Sequence, residues 1–163
     1  MADLRDWFAG AGFASVRTYL QSGNVVVRSE RPAAELAQFT HRLIAERAGR
    51  SLPVVVRTRL QLRQVLARDP FDAESVAEKL YQVTFLASDA PKELSRELAG
   101  LAAGDERFVA HRREWYTYHA SGIARSKLAS RISARNLGLT ATTRNWVTVR
   151  NLLALADEVA DGP

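Results

Sequence analysis

The feature that most constrains this chain is that its second half repeats the local plan of its first. Displacing the sequence by 87 positions (144 − 57 = 87) sets Arg57 on Arg144, Arg63 on Arg150, Leu66 on Leu153 and Ala67 on Ala154. Each copy reads as a short β-forming run, a capping residue, and an apolar stripe of helical period. In the first copy these are residues 52–57, Thr58, and Leu62, Val65 and Leu66; in the second they are residues 140–144, Asn145, and Val149, Leu152, Leu153 and Ala156.

Extending the comparison backwards gives both halves the order helix, strand, strand, helix, strand, helix. In the first, Leu4, Trp7, Phe8 and Ala11 form one stripe. Residues 15–20 and 25–28 flank a turn at 21–24, and Pro32 opens a helix that Gly49 closes. In the second, Leu94, Leu98 and Leu101 mark a helix, 107–115 and 116–120 are strand-like, and Leu128 and Ile132 belong to a helix closed by Gly138. The second half alone has a further strand in front, the near-continuous β-formers of 80–86. A β-α-β-β-α-β succession is the split βαβ, ferredoxin-like arrangement. The expected class is therefore α/β (α+β) with two tandem ferredoxin-like subdomains, 1–69 and 80–163, joined by a linker at 70–79. The second carries an extra C-terminal helix. The first lacks its opening strand, as in a truncated N-terminus, so its sheet is expected to have three strands against four. An incomplete sheet has open edges, and these offer a route to a homo-oligomer.

Composition narrows the classes of function. Apolar residues make up 47% and charged residues 25% of the chain, as in ordinary globular proteins. No apolar run approaches twenty residues, which excludes a membrane partner through a spanning helix, and the N-terminal residues lack a secretory apolar region. There is no cysteine, hence no disulfide, thiolate zinc site or Cys nucleophile, and a cytoplasmic location is expected. A formal charge of +5 admits nucleic acid or another anion as a partner without requiring either.

Four stretches carry candidate chemistry. Arg144-Asn145-Trp146 sits at a strand-to-helix junction, where helix N–H groups and a guanidinium can face an anion; equally, Asn145 caps and Trp146 packs. Thr142 and Thr143 precede it as secondary candidates. Arg125-Ser126-Lys127 likewise precedes a helix and could bind phosphate, or be a serine cap between solvated charges. Lys127, Arg131 and Arg135 recur every four residues as a basic stripe. Trp115, Tyr116 and Tyr118 invite a base-stacking reading beside a packing one. Gln21, Ser22 and Asn24 are polar positions in the first hairpin turn. His41, His111 and His119 have no ligand spacing, so no metal or cofactor is expected. No nucleophile elbow, phosphate loop or paired carboxylates argue for catalysis, which leaves enzyme status open.

Residues 18–26, Thr-Tyr-Leu-Gln-Ser-Gly-Asn-Val-Val, resemble the TYIQSGNVVF motif of the bacterial family named domain of unknown function 1697. Residues 122–128 are similar to its GxGRSKL stretch, with Ala124 for a usual Gly. Residues 142–149 are similar to its TTRNWNTV ending, with Val147 for a usual Asn. The resemblance implies a duplicated ferredoxin-like fold and no established activity. The family's usual opening strand and glycine-rich turn, resembling YVALLRGINVGG, are absent. Together these readings favour a non-catalytic module that binds an anionic ligand, nucleic acid being one class, through Arg125, Ser126, Lys127, Arg131, Arg144, Asn145 and Trp146. The alternatives are an enzyme acting on a small anionic metabolite at the junction of the two subdomains, or a protein-interaction module.

Overall fold

In the computed structural model, which describes residues 2–20, 23–133 and 137–161, the apolar stripes become six helices packed with two antiparallel sheets. No helix among the described residues is long and apolar enough to cross a membrane. The chain divides into two compact units, residues 1–64 with 150–163, and residues 65–149.

The first unit contains α1 (Ala2–Gly10), β1 (Arg17–Tyr19), β2 (Asn24–Val26) and α2 (Ala33–Ala48), with the start of α3 (Arg59–Arg68) and most of α6 (Trp146–Asp161). The Leu4, Trp7 and Phe8 stripe of α1 buries against Val16, Leu43, Phe13 and Phe39, and Phe8 is 3% exposed. Gly49 ends α2 in the left-handed region at φ 65°, which costs a glycine little, and its N–H returns to the Ala45 carbonyl. β1 and β2 pair from Arg17↔Val26 to Tyr19↔Asn24. Residues 52–57, expected as a third strand, form no ladder, so this sheet has two strands rather than three. The reason lies in the topology: the equivalent strand of the second unit pairs with one neighbour only, and no described residues of the first unit supply that neighbour. A β-forming run without a partner has no ladder to join.

The second unit runs β3 (Tyr81–Leu86), α4 (Lys92–Leu101), β4 (Arg107–His111), β5 (Glu114–Tyr118), α5 (Lys127–Ile132), β6 (Ala141–Asn145). Its sheet has the order β4-β5-β3-β6, all antiparallel. β3 is central and buried on both faces, which its near-continuous apolar character requires. On one face, Leu86 and Trp115 meet Leu98 of α4 and Leu128 and Ile132 of α5. Trp115, Leu98 and Leu128 are wholly buried, each stabilising the unit by about 1.5–3 kcal/mol through area removed from water. On the other face Tyr81, Val83 and Tyr116 are wholly buried. There Tyr81 stacks on Trp146 (centroids 4.4 Å apart, planes 13°), Phe71 tilts against Tyr81 at 5.2 Å, and the Tyr116 hydroxyl donates to the Val65 carbonyl at 3.2 Å. Burial first, and then the nearby Glu114 charge, push the Tyr116 phenol up to about 12.

The hairpin β4–β5 turns at Arg112 and Arg113, since His111 pairs with Glu114. The sequence runs had placed the break between Trp115 and Tyr116. Arg112 sits at φ 48°, a conformation that Gly or Asn usually supplies, so the turn had no sequence signal.

The 87-residue offset is matched locally in three dimensions. α3 begins at Arg59 and α6 at Trp146 (146 − 59 = 87). The Thr58 hydroxyl accepts from the Gln61 N–H at 3.2 Å, and the Asn145 side-chain Oδ1 accepts from the Thr148 N–H at 2.8 Å, the same capping bond at both helix starts. Gln61 returns a bond to the Thr58 N–H at 2.9 Å, completing a capping box that α6 lacks. Arg57 and Arg144 each donate to the preceding carbonyl, at 3.0 and 2.7 Å.

Candidate ligand cleft beside α5

Side chains alternate along a strand, so cross-strand partners share a face. Gln82 pairs with Asn145 and Thr84 with Thr143, which puts these four on the face that carries α4 and α5. Arg144 pairs with Val83 and Thr142 with Phe85, on the opposite face. The Arg144-Asn145-Trp146 stretch is thereby divided. Arg144 donates to the Thr142 hydroxyl and the Thr143 carbonyl, each at 2.7 Å, and half-burial lowers its guanidinium pKa from the ordinary value. Asn145 caps α6. Trp146, 4% exposed, is packed on Tyr81.

At the end of the helix-bearing face lies an open cleft of about 330 Å³. Its polar lining is Gln82, Ser126, Ser130, Ser133 and Thr143, with Ile123 and Ile132 among the apolar remainder. Two residues singled out from separate motifs, Ser126 and Thr143, thus meet in one wall. Their hydroxyls are engaged: Ser126 accepts from the Ala129 N–H at 2.9 Å, and Thr143 bonds Thr84 at 2.8 Å. Ser133 donates to the Ala129 carbonyl at 2.8 Å. Gln82 and Ser130 have no side-chain partner among the described residues, which leaves an amide and a hydroxyl for a ligand. Arg125 and Lys127 flank Ser126, exposed and without an ion pair among the described residues.

Behind Ser126 is a buried polar chain that sequence reasoning missed. His119 Nδ1 lies 2.8 Å from Glu106 Oε1 and His119 Nε2 lies 3.1 Å from the Thr117 hydroxyl. The Ala103 N–H donates to Glu106 Oε2 at 3.2 Å. Both ring nitrogens of His119 are thereby engaged, Nδ1 by the carboxylate and Nε2 by the hydroxyl. Burial pushes the Glu106 carboxyl up, but hydrogen bonds from His119, Ser126 and Ala103 outweigh it and hold the group below the usual carboxylate range. The pair was hidden because the turn was hidden: Arg107 pairs with Tyr118, so Glu106 and His119 stand at the next rung of the same hairpin.

The remaining candidates lie apart from the cleft lining. Arg131 is held by Glu97, Nε to Oε1 at 2.7 Å, so the basic stripe loses its middle member to an ion pair; Arg135 is outside the described residues. Trp115 and Tyr116 are wholly buried and offer no stacking platform, and the Arg107 guanidinium sits over Tyr118 at 5.7 Å. In the first unit Asn24 is 7% exposed and donates to the Tyr19 carbonyl at 3.0 Å, closing the hairpin; Gln21 and Ser22 are outside the described residues.

A family model described as a protein of unknown function, DUF1697, matches residues 1–116. The conserved bacterial protein SP0830 from Streptococcus pneumoniae is similar in structure, with a TM-score of 0.70 over 96% of this chain and 88% of that chain. At 16% identity that likeness establishes a shared fold alone. A search of the curated proteins finds no match.

Proposed function

The chain belongs to the DUF1697 family of proteins of unknown function, and from that premise we propose that it is a cytoplasmic, non-catalytic module binding a small anionic ligand at the α5 cleft. The carrying observation is the lining: the Gln82 amide and Ser130 hydroxyl stand without partners in a cleft whose edge is flanked by the exposed cations Arg125 and Lys127. A volume of about 330 Å³ lies at the small end of the range for metabolite sites. The burial of Trp115 and Tyr116 favours such a ligand over a nucleic acid held by stacking. Ser126 fixes the rim as a helix cap, and Thr143 contributes to the floor. Arg144 and Trp146 support the scaffold from the opposite face. We read the scaffold as two tandem ferredoxin-like subdomains, 1–69 and 80–163 about a 70–79 connection, produced by internal duplication. The support for this is the shared caps and helix starts.

The test is a titration of isotopically labelled protein with inorganic phosphate, citrate and a mononucleotide, followed by amide and side-chain NMR shifts. Saturable shifts at Gln82, Ser130 and Thr143 are expected for at least one probe. Replacing both Arg125 and Lys127 with Ala removes two exposed charges, each worth about 0.5 kcal/mol, and should weaken binding roughly fivefold, less at high salt. No shift at those residues with any of the three probes refutes the reading.

A further inference from the structure

A hydroxyl carries one proton and two lone pairs, so a hydroxyl that has spent its proton can only accept. Two of the hydroxyls lining the α5 cleft have done so. The proton of Ser133 goes back to the α5 backbone, to the Ala129 carbonyl at 2.8 Å with the Ser130 carbonyl at 3.2 Å. The Ser126 hydroxyl accepts from the Ala129 N–H at 2.9 Å and bonds the Glu106 carboxylate behind it. An ionised carboxylate can only accept, so the Ser126 proton is spent inward. What these two groups offer a ligand is lone pairs. Beside them the Gln82 side chain, without a partner among the described residues, carries both N–H donors and an acceptor oxygen. Ile123 and Ile132 add apolar wall.

A bare anion does not match this lining. Inorganic phosphate and polycarboxylates present almost only acceptor oxygens near neutral pH, and these would meet the lone pairs of Ser126 and Ser133. The cations Arg125 and Lys127 are exposed and flank Ser126 without lining the cleft themselves. Charge recognition therefore belongs to the edge and donor recognition to the wall. We propose that the ligand is a small hydroxylated anion of the polyol phosphate class, with its phosphate at the Arg125 and Lys127 edge and its hydroxyls directed to Ser126, Ser133 and Gln82. The inference rests on the anion-binding reading of this cleft and adds the class of ligand. Two adjacent cations match the charge of a phosphate monoester, about −1.5 to −2 near pH 7. A carboxamide suits neighbouring hydroxyls, since it accepts from one through oxygen and donates to the next through nitrogen. The C–H edges of the same carbon chain pack on Ile123 and Ile132 without stranding a polar group. Ser130, whose hydroxyl is uncommitted among the described residues, can serve in either sense.

Two esters with the same three-carbon chain and the same charged group separate the class from the charge. Glycerol 3-phosphate and propyl phosphate differ only in two hydroxyls. Each is titrated into the isotopically labelled full chain at one ionic strength, and the Gln82 side-chain amide and the Ser130 amide are followed by NMR. Both esters should shift these groups saturably, with glycerol 3-phosphate binding about tenfold tighter, as for two net hydrogen bonds. Gln82→Met removes the amide at nearly constant volume, and Ser133→Ala removes an acceptor at the exposed end of α5. Each should cut the preference for the hydroxylated ester to about threefold or less. Equal dissociation constants for the two esters on the unaltered chain overturn the ligand class and leave the anion-binding reading standing. Absence of shifts with either ester removes both. A tenfold preference that persists undiminished in Gln82→Met and in Ser133→Ala puts the hydroxyls elsewhere and also overturns the proposal.

Discussion

Replacing Trp146 with Ala separates a packing role from a ligand role at the strand-to-helix junction. The indole is 4% exposed, and its ring lies 4.4 Å from the Tyr81 ring at 13°. Truncating a buried aromatic to Ala costs about 3–5 kcal/mol, of which the ring pair contributes about 0.5–1.5 kcal/mol beyond area. Total stability of a domain this size is about 5–15 kcal/mol, so Trp146→Ala should leave it marginal at best. Trp146→Phe keeps a stacked ring and loses part of the volume, for roughly 1–2 kcal/mol. Urea denaturation followed by far-ultraviolet dichroism measures both, and an unchanged slope certifies that stability alone has moved. Ligand shifts at Gln82 and Ser130 should survive in the Phe variant. A Trp146→Ala cost below about 1 kcal/mol would refute the reasoning, because a stacked, buried indole cannot be removed that cheaply.

Two further outcomes are expected. Asn145→Ala and Thr58→Ala each remove the same capping bond and should each cost about 1 kcal/mol by denaturant midpoint; a cost for Asn145→Ala far above that of Thr58→Ala would show that Asn145 does more than cap. Glu106 has its folded pKa held below the unfolded one, so its contribution is fully present above the ordinary carboxylate value and is lost as pH falls through the folded value. Glu106→Gln should therefore flatten the acid limb of the stability profile below about pH 4.5, and an unaltered limb counts against the His119 and Ser126 bonds.

What the sequence determined by itself was local. The stripe of α1, the glycine that ends α2, the caps of α3 and α6 and the buried character of β3 depend on residues a few positions apart, and their spacing wrote them into the chain. The likeness of the two caps was legible for the same reason, since Thr58 and Asn145 do the same short-range work 87 residues apart (145 − 58 = 87). What only the tertiary structure decided was pairing across distance. Residues 52–57 have β-forming side chains and still form no strand, because a ladder needs a neighbour and a sequence run cannot supply one. Arg112 adopts a left-handed turn without a glycine to announce it, and with that turn went the register that sets Glu106 against His119. The cleft belongs to the same class. Gln82, Ser130 and Thr143 come from a strand, a helix and another strand, and only the pleat and the packing of α5 bring an amide and two hydroxyls to one wall. Of the Arg144-Asn145-Trp146 stretch, the sequence could give the cap; the alternation of faces along β6 assigned Arg144 to the side away from that wall, and the stack on Tyr81 assigned Trp146 there.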